Sequence, residues 1–103
     1  MAITVQDNPA LSEYELFDGR SLIGVAKYKR TGNQIAFTHT EVSPEAAGRG
    51  LGHRLVGAAL DDARDHGWQV LPYCPFVAAF ITENPAYVAT VPAGRRAAFG
   101  IQT

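Results

Sequence analysis

The sequence of 103 residues has little of what marks a disulfide-rich, nucleic-acid-binding or metal-binding protein. Its single cysteine, Cys74, excludes an intramolecular disulfide framework and a multi-cysteine zinc site. The formal net charge is -1 and like charges are scattered, so no broad positive field exists to hold nucleic acid or an anionic membrane. The three histidines lack the short spacings of paired metal ligands, so we expect no metal site.

Long apolar runs and targeting signals are also missing. The longest apolar stretch, residues 76–81, falls far short of the ~20 residues that a membrane-spanning helix needs. Residues 1–7 lack the basic and apolar regions of a secretory signal peptide. Hydrophobic residues nevertheless make up 47% of the chain, which is enough for a core. We therefore expect a cytoplasmic protein of one domain, residues 1–103, that binds neither nucleic acid nor membrane.

The first 42 residues predict an antiparallel meander. Segments rich in alternating and β-branched residues are separated by turn signals, among them Asp18-Gly19 and Thr31-Gly32-Asn33. Connections this short join antiparallel neighbours. The predicted strands cover residues 3–5, 13–17, 21–30 and 34–42.

After the meander the hydrophobic period becomes helical. A helix is predicted over about residues 52–66, with Gly67 ending it. Its apolar face consists of Leu55, Val56, Ala59, Leu60 and Ala63. An apolar strand follows at residues 68–71, and a strand–helix–strand order predicts that this strand runs parallel to residues 34–42.

The last third of the chain predicts a short second helix and a tail. Pro75 suits the first position of a helix that continues to Glu83. The tail, residues 92–103, shows little periodicity, and we expect it to be peripheral with Arg95-Arg96 in solvent. The fold class is therefore mixed α/β (α+β): an antiparallel meander, a βαβ unit and a short C-terminal helix.

A glycine-rich loop, Gly48-Arg49-Gly50-Leu51-Gly52, lies between the meander and the first helix. Such a loop lets backbone amides converge, and the helix N-terminus adds partial positive charge, so together they can bind a phosphate group. No Gly-Lys-Ser/Thr follows, which excludes a P-loop, and a G-x-G-x-G spacing after a meander does not fit the dinucleotide fingerprint. The alternative interpretation is a tight strand-to-helix turn without a ligand.

These segments together resemble the GCN5-related N-acetyltransferases. The meander, the x-x-G-x-G loop, the helix and the parallel strand follow one another in the order of that superfamily. Within it, the chain resembles the minimal subfamily marked by a cysteine after the parallel strand. The segments that carry this likeness are Thr38–Val42, Gly48–Gly52, Leu71–Val77 and Asn84–Tyr87, and the resemblance covers about residues 10–91.

The resemblance implies an N-acetyltransferase that moves an acetyl group from acetyl-CoA to a small-molecule or protein amine. It places the pyrophosphate on backbone amides of residues 48–53, and the pantetheine between the strands at 34–42 and 68–71. The implied coenzyme-binding residues are Val42, Gly48, Arg49, Gly50, Leu51, Gly52 and His53.

The chain departs from the superfamily pattern in three places, one of which is the usual Asn after the parallel strand, where Cys74 lies instead. The motif Q/R-x-x-G-x-G/A begins here at Ala47, and Phe80 lies where a tyrosine is usual on the helix after the parallel strand. These departures keep open a coenzyme-A-binding module with little or no transferase activity. A third interpretation is an interaction protein in which the glycine loop is only a turn.

Three residues are candidates for the chemistry. His39 and Glu41 share a strand face, because residues i and i+2 point the same way, and could take a proton from an ammonium group. The alternative is a buried core histidine beside a solvated glutamate. Cys74 precedes a helix, whose N-terminus stabilises a thiolate. Its role as acetyl carrier, as proton donor or as pocket lining is open, and His39 could serve as its base if the strands adjoin. Phe76 and Phe80 are expected in the core.

Overall fold

A computed structural model describes residues 2–46 and 48–102. Five strands form one sheet in the order β1-β2-β3-β4-β5. The strands are β1 (Ile3–Asn8), β2 (Glu13–Asp18), β3 (Ser21–Thr31), β4 (Gln34–Val42) and β5 (Gln69–Pro72). The fold class is mixed α+β, as the sequence predicts.

The sheet combines an antiparallel meander with one parallel pair. Strands β1 to β4 pair antiparallel with their chain neighbours, because each connection is a short turn. Strand β5 pairs parallel with β4 from Gln34↔Gln69 to Phe37↔Pro72. The predicted parallel pairing is confirmed, and β5 begins one residue later than predicted.

Two α-helices follow the meander. Helix α1 (Leu51–Asp65) crosses from β4 to β5, and α2 (Pro75–Glu83) follows β5 with Pro75 in its first turn. Gly67, just beyond α1, has φ 73°, a conformation that glycine adopts without steric cost. Three short 3₁₀ turns complete the chain, at Pro85–Thr90, Ala93–Arg95 and Ala97–Phe99.

The core lies between α1 and one face of the sheet. All five predicted apolar positions of α1 are buried, and Leu51 joins them. The buried residues of the sheet face are Tyr14, Leu16, Ala26, Tyr28, Ile35, Phe37 and Val70. Complete burial of one large apolar side chain contributes about 1.5–3 kcal/mol, so this layer holds α1, and the loop before it, against the sheet.

The tail is more closely packed than predicted. Ile101 is buried in the same hydrophobic cluster as α1 and the sheet. Arg96 is half-buried and its Nε donates to the Val91 carbonyl at 2.9 Å, while Arg95 is exposed and donates to the Tyr73 hydroxyl at 2.9 Å. The expectation that both arginines extend into solvent is wrong for Arg96, because its side chain is bonded to the Val91 carbonyl.

None of the helices in residues 2–46 and 48–102 is long and apolar enough to cross a membrane.

Candidate active site

The glycine loop forms an amide-rich start to α1. Gly48 and Gly50 have φ 82° and 73°, in the left-handed region that glycine adopts freely. Gly50 is the N-cap and, as a glycine, has no side chain to cap the helix. The first backbone N–H groups of a helix have no carbonyl partner of their own, and the first turn of α1 carries no acidic residue. The backbone N–H groups of the loop can therefore bind an anion.

The space in front of the loop is open. A Cβ built at Gly48 or at Gly50 would meet no heavy atom within 4 Å. A cavity of about 380 Å³ lies here. Its lining residues are Val42, Ala46, Gly48, Gly50, Leu51, Gly52, His53 and Phe76.

Six of the seven predicted coenzyme-binding residues line this cavity. The seventh, Arg49, is exposed beside it, and its backbone N–H donates to the Ala46 carbonyl at 3.3 Å. Ala47, where the superfamily pattern begins, lies outside the described residues. His53 is half-exposed at the start of α1, with Nε2 3.8 Å from Glu83 Oε2.

Phe76 belongs to this cavity, although the sequence places it in the core. Its exposed fraction is 40%, whereas Phe80, one turn later, is buried as predicted. A Cβ on Gly52 would lie 3.1 Å from the Phe76 ring, so the glycine lets the ring pack closer to α1 than a larger residue would without a small shift. The i, i+4 spacing of the two phenylalanines shows that they share a helix face, but not that the first turn of α2 reaches the loop.

Strands β4 and β5 separate beside Cys74. Their pairing ends at Phe37↔Pro72, and the Cys74 N–H then donates to the Phe37 carbonyl at 2.9 Å. Beyond this point, residues 39–42 pair with β3 alone among the described strands. Cys74 is the N-cap of α2 and is 5% exposed. The thiol thus lies where the two strands part.

A β-bulge at Thr38 decides which residues of β4 face Cys74. In the pairing with β3, Lys27 faces His39 but the next residue, Tyr28, faces Phe37, so Thr38 is extra on β4. The bulge puts Thr40, not His39, on the buried side, with Thr40 Oγ1 3.4 Å from Cys74 Sγ.

His39 and Glu41 lie on the outer face, as a pair. His39 Nε2 is 3.1 Å from Glu41 Oε1, and the two side chains are 53% and 69% exposed. The shared face is confirmed, and the alternative of a buried core histidine is wrong. The hypothesis that His39 is the base for Cys74 needs the imidazole beside the thiol. The β4 side chain beside Cys74 Sγ is that of Thr40.

Glu41 also borders a second cavity of about 580 Å³. Ile23 and Val25 contribute apolar wall from β3, and Thr40 and Val42 line it from β4. Among the described residues, no three His, Cys, Asp or Glu side chains are grouped closely enough to hold a metal ion.

Comparison with known proteins identifies the family and supports the fold. A family model described as GCN5-related N-acetyl-transferase matches residues 13–91. No curated protein matches the chain significantly. Among solved structures, the fold is similar to the NMR solution structure of a GCN5-like protein from Staphylococcus aureus. The TM-score is 0.66 at 21% identity, over 86% of this chain and 87% of the other.

Proposed function

Because the chain belongs to the GCN5-related N-acetyltransferase family, we propose that it transfers an acetyl group from acetyl-CoA to an amine. One observation carries the proposal: the cavity at the glycine loop is lined by Val42 of β4 and by Phe76, two residues after Cys74, so it leads from the loop toward the parting of β4 and β5. A ligand with a phosphate group at one end and a thioester at the other suits such a path.

The loop would hold the coenzyme phosphates through backbone amides. The amides of residues 48–53 and the α1 dipole supply partial positive charge, which explains how a chain of net charge -1 could bind a polyanion. Backbone groups of β4 beyond Phe37, on the side that β5 leaves, would receive the amides of the pantetheine arm. Acetyl-CoA, when bound, supplies the activated acetyl group.

His39 and Glu41 would prepare the acceptor. The attacking amine must lose a proton, and an imidazole accepts a proton near neutral pH. Glu41 Oε1 lies 3.1 Å from His39 Nε2 and can orient the imidazole. Glu41 of this pair borders the 580 Å³ cavity, so we place the acceptor amine, borne by a small molecule or a protein, beside Glu41.

Cys74 would supply the proton for the departing coenzyme sulfur. The amine nitrogen forms the amide bond as the thioester C–S bond breaks, and the Cys74 S–H gives its proton to the leaving sulfur. Cys74 then recovers a proton from water, while His39 releases the amine's proton to solvent. The α2 N-terminus stabilises the transient Cys74 thiolate.

The test is transfer from acetyl-CoA to a panel of primary amines, followed by release of free thiol. We expect acetylation of at least one amine, and His39→Gln should lower kcat by about 10²-fold with coenzyme affinity unchanged, as for loss of a general base. Binding of acetyl-CoA without acetylation of any amine would instead establish the coenzyme-binding module. No binding would leave the glycine loop as a turn.

Mass measurement separates the roles of Cys74. With acetyl-CoA and no acceptor, a proton donor gains no acetyl group, whereas a nucleophilic cysteine gains one that Cys74→Ala lacks. An acetyl adduct on Cys74 would therefore overturn the proton-donor assignment without overturning acetyl transfer.

A further inference from the structure

The bulge at Thr38 places the reactive side chains of β4 on opposite faces of the strand: Thr40 on one face, His39 and Glu41 on the other. In a regular strand, Phe37, His39 and Glu41 would share a face. Because Thr38 is inserted, the buried side continues from Phe37 to Thr40, and the imidazole is left in solvent. The single extra residue thus brings a hydroxyl to Cys74.

The backbone of Cys74 is held on both sides. Its N–H donates to the Phe37 carbonyl at 2.9 Å, and its carbonyl accepts the first α2 bond from the Ala78 N–H at 3.1 Å. Pro75 follows at the start of α2 and restricts the chain further. The remaining freedom of Cys74 is rotation about χ1, which has three staggered positions.

We propose that Thr40 is a positioning residue for Cys74: its hydroxyl holds the thiol in one rotamer and donates to the sulfur when the thiol has lost its proton. Thr40 Oγ1 lies 3.4 Å from Sγ, within the range of a hydrogen bond to sulfur, and either atom can donate. This inference rests on the proposed function, in which Cys74 is the proton donor.

The chemistry follows from the donor count of the two groups. A threonine hydroxyl has one hydrogen and a thiol has one. If Thr40 donates to Sγ, the S–H stays available for the leaving sulfur, and the hydroxyl already points at the site where negative charge develops. Stabilisation of the thiolate by Thr40 then needs no charged side chain beside Cys74. This agrees with the position of His39, which is exposed on the other side of the strand.

Four variants isolate the hydroxyl. Thr40→Val keeps the branched shape without the hydroxyl, Thr40→Ala lacks it without risk of overpacking, and Thr40→Ser keeps it. Thr82→Val is the matched control, because Thr82 Oγ1 also makes one hydrogen bond, to the Ala78 carbonyl at 3.2 Å on α2, away from Cys74. Circular dichroism identifies the variants that fold.

The first measurement needs no substrate. The Cys74 thiolate is titrated by ultraviolet absorbance in each variant, with a Cys74→Ser partner of the same variant as the blank. We expect the pH midpoint to rise in Thr40→Val and Thr40→Ala by about one pH unit, a tenfold change in the thiol–thiolate equilibrium, as for a hydrogen bond to a charged group. Thr40→Ser and Thr82→Val should match the wild type.

The second measurement is acetyl transfer. We expect the two variants without the hydroxyl to lose about tenfold in kcat, with KM for acetyl-CoA within about twofold of wild type. An unchanged pH midpoint in these variants would overturn the role of Thr40, as would equal impairment of Thr40→Ser and Thr40→Val, because packing alone would then explain the effect. If the wild type itself transfers nothing, the proposed function fails, and the titration still decides whether Thr40 controls the thiol.

Discussion

At the scale of single residues, Glu13 is the buried charge of the sheet. It is 5% exposed on β2, and Lys27 Nζ lies 3.0 Å from its Oε1 across the β2–β3 pair. Hydrogen bonding with Glu15 and the ion pair with Lys27 lower the pKa of Glu13 below its ordinary value of 4.5. The same Glu13–Glu15 hydrogen bond raises the pKa of Glu15.

We predict that Lys27→Met is less stable than the wild type above the ordinary pKa of glutamate, and that this deficit disappears as the pH falls through the lowered pKa of Glu13. A lowered folded-state pKa stabilises the protein while the carboxyl is ionised in the folded and unfolded chain alike, and this contribution disappears as the pH falls through the folded-state value.

Thermal unfolding of wild type and Lys27→Met between about pH 7 and pH 3 measures the effect. We expect a deficit of about 1 kcal/mol near neutrality, an upper value since solvent screens the half-exposed Lys27, and convergence at low pH. Lys29→Met, an exposed change on the same strand, should follow the wild type. A constant difference over the whole range would show that Lys27 acts by packing.

At the scale of elements, α1 is flanked by one glycine at each end, and the two glycines have the same φ angle. Gly50 at its N-terminus and Gly67 beyond its C-terminus both have φ 73°, and a Cβ at either position would meet nothing within 4 Å. Only Gly50 lies in the proposed phosphate-binding loop. The pair therefore separates backbone strain from ligand binding.

We predict that Gly50→Val and Gly67→Val lose similar stability, but that only Gly50→Val loses the response to coenzyme A. Valine resists positive φ at both sites, and at position 50 it also occupies the open space before the amides. Stabilisation by ligand reaches about 2.7 kcal/mol at 100 times the dissociation constant, which a thermal-shift titration resolves. An undiminished shift in folded Gly50→Val would contradict binding by the loop.

At the scale of the whole molecule, the core extends beyond the segment that matches the family. The match ends at residue 91, yet Ile101 is 3% exposed and belongs to the same cluster as α1 and the sheet. Val91, the last residue of the match, is fully buried as well.

We predict that Ile101→Ala lowers the free energy of unfolding by about 2–4 kcal/mol, as for truncation of a buried isoleucine. Against the 5–15 kcal/mol that holds a typical domain, this loss would be large. Urea denaturation measures it, with Gln102→Ala as the exposed neighbouring control. A loss below about 0.5 kcal/mol would assign the tail the peripheral role that its irregular sequence suggests.

The sequence by itself determined the order of the elements and the parallel pairing of β4 with β5. Periodicity and turn residues act locally, within a few positions along the chain, so they can be read without a structure. The glycines before α1 likewise predicted the amide-lined loop, because positive φ and a helix start are local properties. Six of seven proposed coenzyme residues accordingly share one cavity.

Tertiary structure alone decided which side chains meet at the site. Strand alternation predicts His39 and Glu41 together, but the bulge that removes His39 from the buried side and brings Thr40 to Cys74 depends on the register with β3. Phe76 lines the loop cavity because α2 docks against Gly52, and Ile101 is buried because the chain returns to the core. These contacts join residues far apart in the chain, and no local sequence pattern determines which of them meet.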